Sequence, residues 1–283
     1  MHFAIRKDAV AVITGAAVGI GYAIAERLAR EGMKLVLLDK NIPALSEAIK
    51  RLRTKFPELT IHHVYGDVTS LKVQQNLHHV AVSTGEIGIL VNNSAIHPGA
   101  NPWEDLPKWR SLMEVNFWSV LMLQEKFIQT LSQQQRRSAI VNLGSKEGIT
   151  TPPGNAAYSV SKAAIRVLTE QLAHELRERY FGKISAHLLI PGFTYTPMNF
   201  PDASFDSPKP DAPWHADQVA ERLLQGMAQS DFYIFCEDNE VTRELDQRRM
   251  QWSADDLIQN RPALSRWHPS WMQQFKDYVS HTD

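Results

Sequence analysis

Two side chains four residues apart, Tyr158 and Lys162, are the first place in this chain where residue types and spacing could do chemistry. An unperturbed phenol ionises at about 10, too high for an efficient base at neutral pH. A nearby cation favours the phenolate. Residues four apart share one face of a helix, so the Lys162 ammonium could tune the Tyr158 phenol for proton transfer. The bland alternative is a surface Tyr and Lys on an amphipathic helix, and roughly one sequence in three of this composition carries such a pair by chance. The surroundings must therefore carry the reading.

A second group lies near the start, in Thr14-Gly15-Ala16-Ala17-Val18-Gly19-Ile20-Gly21. Glycines in a tight strand-to-helix turn let the backbone approach a pyrophosphate, and the helix N-terminus supplies unpaired N–H groups and partial positive charge. The spacing is not the literal G-x-G-x-x-G, and a glycine-rich turn can be merely a turn. Its place after the first strand of an alternating chain favours a dinucleotide site. Asp39 ends the next strand 18 residues beyond Gly21, near the distance at which an acid binds the adenosine ribose. A carboxylate there repels a 2′-phosphate and favours NAD over NADP. Against this, Lys40 is adjacent, and an Asp at a strand end is often only a turn former.

Something must position these groups, and the chain shows what. Up to about residue 190, short aliphatic runs alternate with longer segments of helical period, the pattern of a parallel sheet wrapped by helices. Strands are expected at 9–14, 34–38, 60–65, 89–92, 139–143 and 184–190, apolar enough to be buried on both faces. Helices are expected at 20–30, 43–56, 71–83, 109–133 and 156–181, each long enough for a right-handed crossover. A helix at 216–228 and a strand at 232–236 would complete a Rossmann-type doubly wound α/β sheet of about seven strands. One catalytic domain over 1–236 follows, with 237–283 as an aromatic C-terminal extension. Residues 193–214 hold five prolines and read as a substrate lid.

Composition narrows the function. The 283 residues are 43% hydrophobic, with 30 basic against 31 acidic residues and a net charge of -1. No strong field exists to recruit nucleic acid or an anionic membrane surface. The only cysteine, Cys236, rules out an intrachain disulfide and a thiolate zinc cluster. The first strand comes too early to leave room for a signal peptide, and no apolar window is long enough to span a bilayer. The expectation is a soluble, cytoplasmic protein without a metal.

Taken together, the motifs resemble the short-chain dehydrogenase/reductase family over about two-thirds of the chain. The glycine turn matches its T-G-x3-G-x-G, so that Gly15, Val18, Gly19, Ile20 and Gly21 would face the cofactor. Asp67-Val68 resembles the pair that contacts adenine. Asn92-Asn93-Ser94-Ala95 resembles N-N-A-G, with Ser94 for Ala and Ala95 for Gly. Pro191-Gly192-Phe193-Thr194-Tyr195-Thr196-Pro197-Met198 matches P-G-x3-T-x-M, with Thr194 and Thr196 against the nicotinamide carboxamide.

The resemblance implies that Ser145 donates a hydrogen bond to the substrate oxygen while Tyr158 moves its proton. Lys162 would hold nicotinamide-ribose hydroxyls, and Asn116 a water joining Lys162 to solvent. Asn is otherwise a mild misfit inside a helix. The implied activity is NAD(H)-dependent interconversion of a secondary alcohol and a ketone. An NADP(H)-linked carbonyl reductase and a non-catalytic nucleotide-sensing regulator stay open beside it.

His97, Lys146, Phe193, Tyr195 and Met198 are the expected substrate contacts, although a lone loop histidine is more often just solvated and Lys146 with Glu147 could be a solvated pair. The near-continuous apolar run in the 109–133 helix exceeds the single stripe a monomer needs. Together with the helix bearing Tyr158 it suggests a homodimer or homotetramer. The late aromatics Trp252, Trp267, Trp271, Phe275 and Tyr278 would cap a pocket, cover a neighbouring subunit, or serve the structure alone.

Overall fold

The computed structural model describes residues 1–201 and 208–280; residues 202–207 of the expected lid lie outside the described residues. The chain begins with β1 (Val10–Thr14), α1 (Gly19–Arg30), β2 (Lys34–Asp39), α2 (Ile42–Lys55), β3 (Ile61–Tyr65), α3 (Leu71–Thr84) and β4 (Ile87–Asn92). Next, α4 (Leu106–Met113), a π turn (Glu114–Trp118) and α5 (Ser119–Gln133) form one continuous helix, followed by β5 (Ser138–Leu143). After these come α6 (Glu147–Thr150), α7 (Ala156–Tyr180), β6 (Ile184–Ile190), β7 (Thr194–Tyr195), β8 (Trp214–His215), α8 (Ala216–Ala228) and β9 (Tyr233–Phe235). Among the described residues, the extension holds α9 (Arg243–Ile258), a 3-10 turn (Ser265–Trp267) and α10 (Met272–Ser280).

Among the described residues, seven strands form one parallel sheet in the order β3-β2-β1-β4-β5-β6-β9. The chain winds outward from β1 to β3, then returns to place β4 on the other side of β1. That reversal opens a crevice at the carboxyl ends of β1 and β4, where open α/β sheets bind ligands. Alternation along the strands explains the layers. Ala11 and Ile13 pack toward α1, α2 and α8, whereas Val10 and Val12 pack toward α3, α5 and α7. Both faces are covered, as the apolar runs require. β3 departs from that expectation: it is an edge strand, and His62, His63 and Tyr65 are exposed.

A buried polar chain ties the second half of the sheet to the helices behind it. Asn92 Nδ2 donates to Asn142 Oδ1 (2.8 Å), and Asn142 Nδ2 donates to Gln124 Oε1 (2.7 Å) and Thr169 Oγ1 (2.9 Å). β4, β5, α5 and α7 are thereby held in one register.

The 109–133 helix differs from expectation: it starts earlier and is interrupted by the π turn. Asn116 lies in that turn, where its Oδ1 accepts the Ile96 amide (2.8 Å) and its Nδ2 donates to the Ile96 carbonyl (3.0 Å). A widened turn frees a side chain to clasp backbone that a regular helix would keep at a distance. The extension builds a small aromatic core of its own. Trp252 packs on Phe275 (5.4 Å) and Tyr278 (5.2 Å), with the Arg261 guanidinium 4.4 Å from its ring centre.

Candidate active site

A cleft of about 670 Å³ runs along the carboxyl edge of the sheet. Every site residue expected from the sequence lines it except Gly21, Asn116 and Tyr195. Its floor begins at the turn after β1. Gly15 (φ 62) and Gly19 (φ 57) take left-handed conformations that a side chain would strain. Gly21 serves packing: a β-carbon there would stand 2.1 Å from the Gly15 carbonyl oxygen, so only glycine lets α1 settle onto the turn. Val18 caps α1 without a side-chain hydrogen bond, and no acidic residue occupies the first turn. The leading amides of α1 are thus left without a side-chain partner at the cleft, as an anion site requires.

Thr14 opens the glycine motif, and its side chain has a role that the motif does not announce. Its Oγ1 accepts the amides of Asn93 (3.0 Å) and Ser94 (3.1 Å), while Asn93 Nδ2 donates to the carbonyls of Thr14 and Gly15 (both 2.9 Å). The ends of β1 and β4 are stapled together, and Ser94 and Ala95 follow along the wall of the cleft. Only the match of a hydroxyl at one strand end to an amide at another could have signalled this.

Asp39 closes the far end. One oxygen accepts the Ala17 amide (3.0 Å) and the other the Asn41 amide (2.9 Å). Lys40 turns away to Asp67, Nζ to Oδ2 at 3.9 Å, rather than offsetting the Asp39 charge. Burial tends to raise the Asp67 carboxyl, but bonds from the Thr69 amide and hydroxyl and the Lys40 charge carry it below the usual range. Val68 follows, buried against the same wall.

Opposite stand Ser145, just past β5, and Tyr158 and Lys162 on α7. Lys162 Nζ donates to the Leu143 carbonyl (2.8 Å) and lies 5.5 Å from the Tyr158 ring centre. Burial lowers its pKa to about 8, with the Glu147 carboxylate pulling the other way. The expected easing of the phenol by Lys162 is not what the polypeptide supplies. Burial, with the Glu147 charge, pushes Tyr158 well above the ordinary phenol, and the Ser145 hydroxyl opposes them. At neutral pH Tyr158 therefore holds its proton. Ser145 Oγ accepts the Glu147 amide (3.2 Å), which fixes its lone pairs and leaves its hydrogen to point elsewhere.

Asn116 stands behind this wall. Besides Ile96, its Nδ2 reaches Ser161 Oγ (3.2 Å), whose hydroxyl donates to the Tyr158 carbonyl (2.8 Å). It is a positioning residue for the backbone on both sides of the cleft.

On the substrate side, His97, Phe193 and Met198 line the opening. Tyr195 corrects the expectation: side chains alternate along a strand, so Thr194 and Thr196 face the cleft while Tyr195 turns outward, its hydroxyl donating to the Pro208 carbonyl (3.4 Å). Lys146 corrects it too. It borders the cleft, yet its ammonium points to the extension, 2.5 Å from Asp246 and 3.6 Å from Asp238. Asp238 also accepts the Phe193 amide (3.4 Å), so one buried ion cluster joins Ser145's neighbour, the Pro-Gly turn and α9. Burial raises the Asp246 carboxyl, and the Lys146 ammonium opposes it.

Comparison with known proteins follows the same lines. A family model described as short chain dehydrogenase matches residues 9–205. A CLA biosynthesis dehydrogenase/reductase of Lactiplantibacillus plantarum is 34% identical over 195 residues, 68% of this chain and 67% of that protein. A 1-deoxy-11-beta-hydroxypentalenate dehydrogenase of Streptomyces exfoliatus is 28% identical over 271 residues, 94% of this chain and 96% of that one. Among solved structures, a short chain dehydrogenase/reductase from Burkholderia phymatum in complex with NAD superposes with a TM-score of 0.81 at 27% identity, covering 92% of this chain and 97% of its own. A short-chain dehydrogenase from Sphingobium yanoikuyae in complex with NADPH, 23% identical, gives 0.71 over 89% of this chain and 94% of its own, a likeness of fold alone.

Proposed function

The chain belongs to the short-chain dehydrogenase family, and on that premise we propose that it interconverts a secondary alcohol and a ketone with NAD(H), Tyr158 moving the proton. The family membership makes it an oxidoreductase acting on CH–OH and C=O groups. The cofactor preference and the residue roles are our reading. The observation that carries it is convergence: Ser145, Tyr158 and Lys162 meet on one wall of the cleft whose other end is the uncapped start of α1.

The residues present fit a nicotinamide dinucleotide. The α1 amides and the backbone of Gly15 and Gly19 suit the pyrophosphate, Asp39 the adenosine ribose, Asp67 and Val68 the adenine, and Thr194 and Thr196 the carboxamide. Asn93, Ser94 and Ala95 would pass the ribose, and Lys162 would hold the nicotinamide-ribose hydroxyls. When bound, the nicotinamide supplies or accepts the hydride and, oxidised, brings a positive charge beside the phenol. The chain's own residues do the rest. Ser145, its lone pairs tied to the Glu147 amide, donates toward the substrate oxygen. Tyr158 gives its proton to that oxygen in reduction and takes it back in oxidation. Burial and the Glu147 charge both favour the protonated phenol.

The test is a panel of secondary alcohols and ketones with NAD(H) and NADP(H), followed by nicotinamide absorbance. We expect turnover of members of the panel with NAD(H). Nucleotide binding without any turnover would return the protein to the role of a nucleotide-sensing regulator.

A further inference from the structure

Glu147 faces the cleft one residue beyond Lys146 and two beyond Ser145, with its side chain about one-third exposed. Its backbone is fixed, since its amide bonds Ser145 Oγ and it opens the short helix α6. Its neighbour across the opening is His97, whose ring stands edge-on to Tyr158 with centroids 4.4 Å apart. His97 Nε2 lies 3.8 Å from Glu147 Oε1, too far for a hydrogen bond, because it is taken up by the Asn155 amide at 2.6 Å. This holds for either orientation of that amide: whether Nε2 accepts or donates, Asn155 uses it. Among the described residues, no side-chain donor lies within hydrogen-bond distance of the Glu147 carboxylate. It is an acceptor at the cleft beside the reacting groups.

We propose that Glu147 is a hydroxyl-recognition subsite: the natural substrate carries a second hydroxyl close to the reacting carbon, and that hydroxyl donates to the Glu147 carboxylate. This rests on the alcohol–ketone reading above. A neutral donor suits the site better than a cation, because the Lys162 ammonium already lines the same cleft, 5.5 Å from the Tyr158 ring centre. His97 and Asn155 hold the subsite open, and the Glu147–Ser145 bond sets its place relative to the substrate oxygen.

The experiment uses the full-length protein with NAD and compares kcat/KM for cyclohexanol, vicinal cyclohexanediol and the corresponding aminocyclohexanol. In the wild type the diol exceeds the simple alcohol by about tenfold or more, the effect of one hydrogen bond to a charged acceptor. In Glu147→Ala the ratio falls to about one, and in Glu147→Gln, which keeps an acceptor oxygen, it lies between. Any change in the ionisation of Tyr158 acts on all three substrates and cancels in the ratio. Where the alanine variant turns over too slowly, the glutamine variant carries the comparison, its fold checked by nucleotide binding. A wild-type ratio near one, or a ratio that survives both substitutions, overturns the subsite while leaving the alcohol–ketone reading in place. Preference for the amino alcohol over the diol overturns the hydroxyl assignment. Turnover of none of these and of no other alcohol or ketone overturns the reading itself, and the subsite with it.

Discussion

The Asp39 carboxylate is pinned at the end of β2 by two backbone amides, so it cannot swing away from the adenosine ribose that we propose it holds. A phosphate on that ribose would meet a fixed negative charge, and the nearest lysine is turned toward Asp67. We expect Asp39→Ser to lower the ratio of kcat/KM for NADH over NADPH by about a hundredfold, a cost in keeping with forcing like charges together. An unchanged ratio would remove Asp39 from cofactor choice. Single residues were legible in the sequence where the backbone turn dictated the type, as at Gly15 and Gly19. They were not where the partner lies far along the chain. Thr14 bonds Asn93 and Ser94, Lys146 bonds Asp238 and Asp246, and no local pattern announces either.

Elements were read well where periodicity was strong. Strand 184–190 and helix 216–228 lie where the apolar pattern puts them, and the other sheet strands and their crossovers differ by a few residues. The interrupted helix around Asn116 was missed because a π turn changes no residue type, only the hydrogen-bond step. The role of the extension was also hidden, since it depends on Lys146 reaching α9 from the end of β5. The side chains of Lys146, Asp238 and Asp246 are 16%, 6% and 6% exposed, so removing the cation leaves two carboxylates with little water. We expect Lys146→Met to destabilise the protein by about 3 kcal/mol in denaturant unfolding. Proton uptake by Asp246, already held high by burial, limits the loss. Lys146→Arg should recover most of it. Wild-type stability in the methionine variant would show that the extension is held by its aromatic packing alone.

At the scale of the whole molecule, the sheet is closed from below by an N-terminal segment that gave no periodic signal. His2 is buried there against His187 (5.1 Å), and the Arg137 guanidinium stacks 3.7 Å from Phe3. Burial first, then the neighbouring His187 and Arg137, lowers the His2 pKa to about 3. Below pH 6.5 the unfolded chain takes up a proton that the folded one refuses, so stability is full above 6.5 and falls as pH falls toward 3. The slope is about 1.4 kcal/mol per pH unit until the segment releases. We expect His2→Phe to flatten it in unfolding measured between pH 7 and pH 5; an unaltered slope would assign acid sensitivity elsewhere. Among the described residues no helix is long and apolar enough to cross a membrane. Trp118 before α5 and Val160 and Val167 on α7 are 46%, 47% and 47% exposed, and we expect them to be covered by a second copy. Sedimentation at micromolar concentration should show a dimer or tetramer; a monomer would refute it.

The chemistry assigned to this molecule reduces to one oxygen, that of Tyr158, passing a proton to and from a substrate held by Ser145. The direct measurement is steady-state turnover of Tyr158→Phe beside its affinity for NADH. We expect kcat to fall by about a hundredfold or more, the usual worth of a positioned acid or base, with nucleotide affinity nearly intact. A phenylalanine variant that keeps more than about a tenth of the wild-type rate would contradict the assignment.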